Sequence, residues 1–203
     1  MGSVAIFCAY DKMYENALFL RRRIHSASQT EFNIISYGEA IISRSTTATL
    51  LCDYYNAEQL LKEADQIFSE LAKKYGTIEA WRRCAIVLNR EGGLYFQQGN
   101  EKDALPFYQE SLKIRKKLLK KYRSNEAVYD CAITLYYVAQ CYEKMLKKSE
   151  QMATLEEVVD LLLPILSVDR KTDWHCIFAE AAFDRFKIDT YSEKKYLQYA
   201  IQG

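Results

Sequence analysis

Two stretches of this sequence can be laid over one another without a gap. Residues 57–103 set beside residues 104–150 agree at 14 of 47 positions. Chance agreement at ordinary residue usage is about 6% per position, or about 3 matches. The matches cluster. Lys73-Lys74-Tyr75 meets Lys120-Lys121-Tyr122, and Glu79-Ala80 meets Glu126-Ala127. Cys84-Ala85-Ile86 and Leu88 meet Cys131-Ala132-Ile133 and Leu135, and Tyr95 meets Tyr142. Self-similarity at a fixed period of this size marks an array of stacked supersecondary units, none of which buries its apolar face alone.

The same offset extends beyond this core in both directions. Thr30, Thr77 and Ser124 stand 47 residues apart. Each hydroxyl suits an N-cap, where it accepts a hydrogen bond from an otherwise orphaned N–H of the first helical turn. Ala57, Leu61 and Ala64 project back onto Tyr10, Tyr14 and Ala17, while Tyr108 and Ser111 project forward onto Leu155 and Val158.

Each unit carries two helical patterns. Leu88, Gly92 and Tyr95 share one helix face, and Ala104, Tyr108 and Ser111 share another. Between them lies Gln97-Gln98-Gly99-Asn100. Gly99 suits a helix C-terminus and Asn100 the next N-cap. Asp103 places an acid in the first turn, and Pro106 is expected to bend that helix or delay its start. The spacing predicts helices near 4–26, then pairs at 30–52/56–75, 77–98/101–121 and 124–147/151–167. Helices at about 172–189 and 192–201 follow, the last containing Ser192, Tyr196, Leu197 and Ile201 and acting as a cap.

Composition agrees with an all-α chain. Only two prolines and seven glycines interrupt 203 residues, and apolar residues make up 49%. The 28 basic and 27 acidic residues leave a formal charge of +1, so no global field draws nucleic acid or an anionic membrane. None of the six cysteines forms a C-x-x-C pair. Val4–Ala9 is too short for a secretory core, and no apolar run reaches the ~18 residues that span a bilayer. These features lead to the expectation of a reduced, cytoplasmic protein without a membrane segment.

The residues of the two faces resemble the tetratricopeptide-repeat (TPR) signature, W-x2-L-G-x2-Y followed by A-x3-F and a later proline. Leu88, Gly92 and Tyr95 take the places of the tryptophan, glycine and tyrosine. Ala104 and Tyr108 resemble the A-x3-F pair, and Ser111 holds the small residue that follows. Leu135, Ala139 and Tyr142 repeat the first pattern. The chain departs from the family in its period, 47 against roughly 34, in Glu91 where a leucine is usual, and in lacking the terminal proline. A period of 47 also falls among HEAT and armadillo arrays, but the glycine, tyrosine and alanine placements favour TPR-like helix contacts. The resemblance implies a right-handed solenoid of antiparallel helix pairs. It would form a single domain over 1–203, with repeats at about 30–75, 77–122 and 124–167 and partial or capping helices at 4–26 and 170–203.

No catalytic or metal constellation stands out, and no cofactor is expected. Gly92-Gly93 follows a helical pattern rather than a strand, which excludes dinucleotide and P-loop readings. His25 and His175 are the two histidines. His175 and Cys176 are adjacent in a helical pattern and point ~100° apart, so they do not share an ion. Glu91 and Glu156-Glu157 read as part of a solvated helix face. The basic run Lys113, Arg115, Lys116, Lys117, Lys120, Lys121 and Arg123 reads the same way. It stands beside an apolar face of Ile114, Leu118 and Leu119, and cations near a helix C-terminus complement its dipole.

Most of the sixteen tyrosines, including Tyr95, Tyr122 and Tyr142, fall at helix-contact positions. Tyr136-Tyr137 matches Asn89-Arg90 one repeat earlier. The resemblance implies that these four residues face the concave groove of the array. There an amide and a guanidinium suit a peptide backbone or carboxylate, and two tyrosines suit broad amphipathic contact.

The expected function is therefore a protein- or peptide-binding module without catalysis. The alternative is a peptide-sensing domain of a larger regulator. Nucleic-acid binding and an enzyme are weaker readings. The 10–26 segment reads as the second helix of a repeat without its first. If no helix covers that face, a homodimer through it is expected.

Overall fold

The computed structural model describes residues 2–166 and 171–188, with side chains from residue 12 onward. The expected short helix at 192–201 and the side chain of Cys8 lie outside what is described. The chain divides into two compact units, Met1–Gly99 and Asn100–Gly203, and each is described by itself.

Unit 1 contains α1 (Gly2–Ala27), α2 (Glu31–Leu50), α3 (Tyr54–Tyr75) and α4 (Ile78–Gln97). Unit 2 contains α5 (Glu101–Tyr122), α6 (Asn125–Lys144), α7 (Lys148–Leu166) and α8 (Thr172–Ile188). No strand occurs among the described residues. Within each unit, short connections make successive helices antiparallel neighbours. The architecture is all-α, built of paired helices.

Helix starts recur with the sequence offset. One helix of each pair begins at 31, 78, 125 and 172, and the other at 54, 101 and 148. Local hydrogen bonds explain these starts. The hydroxyls of Thr30, Thr77 and Ser124 accept from the backbone N–H of Asn33, Ala80 and Ala127 at 3.2, 3.2 and 3.1 Å. The stops recur too. Cys52, Gly99 and Leu146, each 47 residues from the next, all turn the chain through a left-handed conformation with φ of 61°, 73° and 57°. Gly76 and Arg123 do so at 62° and 46°. That geometry frees a helix-ending carbonyl to bond the following N–H, as Gly76 N–H does to Ala72 at 2.9 Å.

Two local expectations are corrected. Asn100 sits before α5 but makes no side-chain cap bond. Its Nδ2 instead donates to Asp103 Oδ2 at 2.5 Å. Pro106 neither delays nor interrupts α5, which runs from Glu101 through Tyr122. It lies close enough to the helix start for the preceding turn to form without it; Ala104 N–H bonds Asn100 O at 3.0 Å.

The core of unit 1 centres on Ile41, Leu61, Phe68, Val87 and Leu94, all buried. At one point two helices approach closely: a Cβ on Gly38 of α2 would run into the Phe68 ring of α3. The core of unit 2 joins Leu135, Tyr136, Leu155, Leu162, Trp174 and Phe178 from α6, α7 and α8. No helix of the described residues is long and apolar enough to cross a membrane.

Candidate functional site

In unit 1, α2 and α4 lie side by side and two polar links set their register. Thr77 Oγ1 donates to Glu31 Oε1 at 2.9 Å. Arg83 pairs with Glu39 at 2.7 Å and with Glu79, one turn back on its own helix, at 2.5 Å. Asn89 and Arg90 lie about two turns beyond Arg83 along α4. Asn89 is half-buried and Arg90 exposed. The 43–49 stretch of α2 is rich in hydroxyls, but each donates to its own helix: Ser43 to Glu39 O, Thr46 to Ile42 O and Thr49 to Ser45 O. Such back-bonding satisfies the donors and leaves acceptor lone pairs outward. Arg83 was not singled out from sequence, although the Glu79–Arg83 spacing of four is a readable signal.

Glu91 follows Arg90 and turns inward instead. It is half-buried against α3, where Asp65, Lys62 and Glu58 bear on it. Burial first, and the Asp65 charge second, push its carboxyl up to about 7. Lys62 opposes this, but its ammonium is already bound to Glu58 at 2.8 Å. The reading of Glu91 as part of a solvated face is corrected. It occupies the place where the TPR signature has a leucine, and here that place faces the preceding helix, α3.

In unit 2, Tyr136 and Tyr137 part company. Tyr137 is half-buried and sets its ring against Tyr108 of α5, centroids 5.3 Å apart. Tyr136 is only 6% exposed. Its hydroxyl donates to Asp184 Oδ2 of α8 at 3.1 Å, and burial, with the Asp184 charge, pushes its phenol up. Tyr136 is a core residue that ties α6 to α8. Of the pair, Tyr137 is thus half-buried and Tyr136 interior. Tyr122, expected at a contact position, is exposed with the Lys121 ammonium 5.1 Å from its ring centre.

The basic run separates as well. Lys113, Lys116, Lys117, Lys120, Lys121 and Arg123 are exposed; Lys113 pairs with Glu110 at 2.7 Å and Lys116 with Glu157 at 2.6 Å. Arg115 is not on the surface. It is buried, bridging Asp130 Oδ1 at 2.9 Å, the Asp130 carbonyl at 2.8 Å and Ser111 Oγ at 3.3 Å. A cation withdrawn from water must find such partners.

Among the described residues no group of three or more His, Cys, Asp or Glu is arranged to hold a metal ion. Cys84, Cys131 and Cys141 are buried, which pushes their thiols up to about 11, 12 and 12. They are therefore protonated and unreactive at neutral pH. Cys52 and Cys176 are exposed.

No protein-family model matches the chain, and no curated protein shows a significant sequence match. Solved structures do share its form. BtubC (BKLC) from P. vanneervenii is similar over 96% of this chain and 69% of its own, with a TM-score of 0.70 at 15% identity. That likeness is one of fold. MamA RS-1, in an ArsTM double mutant, aligns over 95% of this chain and 93% of its own at 12% identity, with a TM-score of 0.39. A de novo designed helical repeat protein aligns over 96% and 98% at 12% identity, with a TM-score of 0.33. The last two superpose too loosely to carry an argument.

Proposed function

We propose that this chain is a TPR-like interaction module that holds a peptide or a segment of another protein and carries out no catalysis. The observation behind this reading is the α2–α4 face of unit 1. Helix-to-helix links join it at Glu31–Thr77 and Glu39–Arg83, and it presents Arg90 to solvent beside Asn89. A guanidinium there suits a bidentate carboxylate contact, and Asn89, whose Oδ1 is buried, stands beside it. Tyr137 is the corresponding contact residue of unit 2, while Tyr136 supports it from within. The 47-residue spacing of helix starts fits an array whose helices are longer than those of the usual TPR. The unbridged cysteines agree with a cytoplasmic setting.

A displayed library of random peptides selected against the whole chain tests this. Binders should be enriched in acidic side chains or free C-terminal carboxylates. The double variant Asn89→Ala/Arg90→Ala should weaken them by about 2–4 kcal/mol, the range for losing charge-assisted contacts. Binders of undiminished affinity for that variant would remove this face from the proposal.

A further inference from the structure

The outward side of α1 is a part of unit 1 that its own helices leave open. Met13, Leu20 and Ile24 are spaced by seven and four residues, which puts them on one stripe. They are 65%, 57% and 47% exposed, and Ala17 on the same stripe is exposed too. The opposite side of α1 is engaged. Arg22 reaches Glu63 at 3.7 Å, Glu15 reaches Arg44 at 3.5 Å, and His25 stacks on Tyr37 at 5.1 Å.

The chain contains its own template for what covers such a stripe. One repeat further on, Ala17 and Ile24 of the stripe, with Tyr14 and Arg21 on its flank, become Ala64, Leu71, Leu61 and Phe68 of α3, while Met13 and Leu20 become the half-buried Leu60 and Ile67. The first four of these α3 residues are buried, and α2 supplies part of the cover by setting Gly38 against Phe68. Their four counterparts in α1 are exposed. The Arg21 place is also filled by an arginine in unit 2. Arg115, one repeat beyond Phe68, is buried because Asp130 meets it at 2.9 Å. Arg21 has no such carboxylate among the described residues. Arg21 and Arg23 lie on opposite flanks of the stripe, and Arg23 rests 5.9 Å from the Phe19 ring centre. Two copies of α1 laid parallel would bring these arginines into repulsion, and the positive charge on both flanks favours an acidic partner.

We propose that the Met13–Ile24 side of α1 is a docking surface for an amphipathic helix of another protein, one that sets a carboxylate opposite Arg21. The contact has the form of α2 on α3, with apolar residues along the stripe and an acid at the place of Gly38. It is a separate surface from the α2–α4 face and does not depend on it.

Two synthetic peptides of the α2 sequence, Glu31–Leu50, test this: one with Gly38→Asp, the other with Gly38→Lys. Each is labelled and titrated with the whole chain, and anisotropy is read. The Asp peptide should bind about tenfold or more tightly than the Lys peptide, equivalent to about 1.4 kcal/mol. Arg21→Glu should reverse that preference, and Leu20→Asp should abolish binding of both peptides. Both residues are exposed, so helix content by circular dichroism should match the parent chain. Failure of the Asp peptide to bind, or the same preference in Arg21→Glu, overturns the proposal. So does self-association of the chain that Leu20→Asp abolishes, which assigns the stripe to a second copy. Leu20-dependent cosedimentation with vesicles of phosphatidylcholine and phosphatidylserine assigns it to a lipid surface instead.

Discussion

Phe68 in unit 1 and Arg115 in unit 2 stand at the same place in the repeat, 47 residues apart, and both are buried. Phe68 fills its place by area alone, against a glycine that makes room for the ring. Arg115 fills the equivalent place with a charge, held by Asp130 and Ser111. Leu162, one repeat further, returns to the apolar solution. The repeat therefore preserves where burial happens and leaves the chemistry of burial free. A second set of places shows the same freedom. Arg44, Glu91 and Val138 are equivalent. In α1–α2 the cation of that place, Arg44, meets Glu15 at 3.5 Å. In α3–α4 the signs are exchanged, with Glu91 near Lys62. In unit 2 the place is neutral.

The largest test of this comparison is at Arg115. Arg115→Ala should destabilise the chain by about 3–5 kcal/mol in denaturant unfolding, because it strands the Asp130 carboxylate. Arg115→Leu with Asp130→Asn, which imitates the Leu162 solution, should recover most of that loss. If the double variant is as unstable as the single one, the two solutions are not interchangeable.

Glu91 gives the next largest effect. The folded chain holds the Glu91 proton more tightly than the unfolded chain does. Stability should therefore rise as pH falls through about 7 and level off below the ordinary carboxylate range. Glu91→Leu should raise stability at pH 8 by on the order of 2 kcal/mol. The gap between variant and parent should close toward pH 4. A gap that stays constant with pH would mean that packing, not protonation, governs this position.

Gly38→Ala tests the apolar solution directly. The added methyl meets the Phe68 ring, and overpacking of this size should cost about 1–2 kcal/mol. The same change combined with Phe68→Leu should cost less than the two singly summed. The smallest expected effect is at a cap. Thr77→Ala removes the bonds to Ala80 N–H and Glu31 and should cost about 1 kcal/mol. Ser124→Ala, whose described cap bond is to Ala127 N–H, should cost somewhat less.

Much of the fold was legible in the sequence, and the candidate site was less so. Asn89 and Arg90 both fall on α4, the first half-buried and the second exposed. Yet Tyr136 is interior, and Arg115 left a run of lysines for the core. Neither outcome can be read from spacing within one helix. Whether a side chain meets water depends on which helix crosses it, and Tyr136 is sealed by α8, whose Asp184 lies 48 residues away.

The sequence alone determined the helix starts, the capping hydroxyls at 30, 77 and 124, and the turn at Gly99. Those features arise from hydrogen bonds and backbone preferences among residues three to six apart, so a local pattern suffices. Tertiary structure alone decided which charges are buried, how Glu91 and Arg115 are accommodated, and that the apolar stripe of α1 stays open. Each of these depends on desolvation by a neighbouring helix: α2 supplies it for Phe68 of α3, and Met13, Leu20 and Ile24 of α1 are exposed.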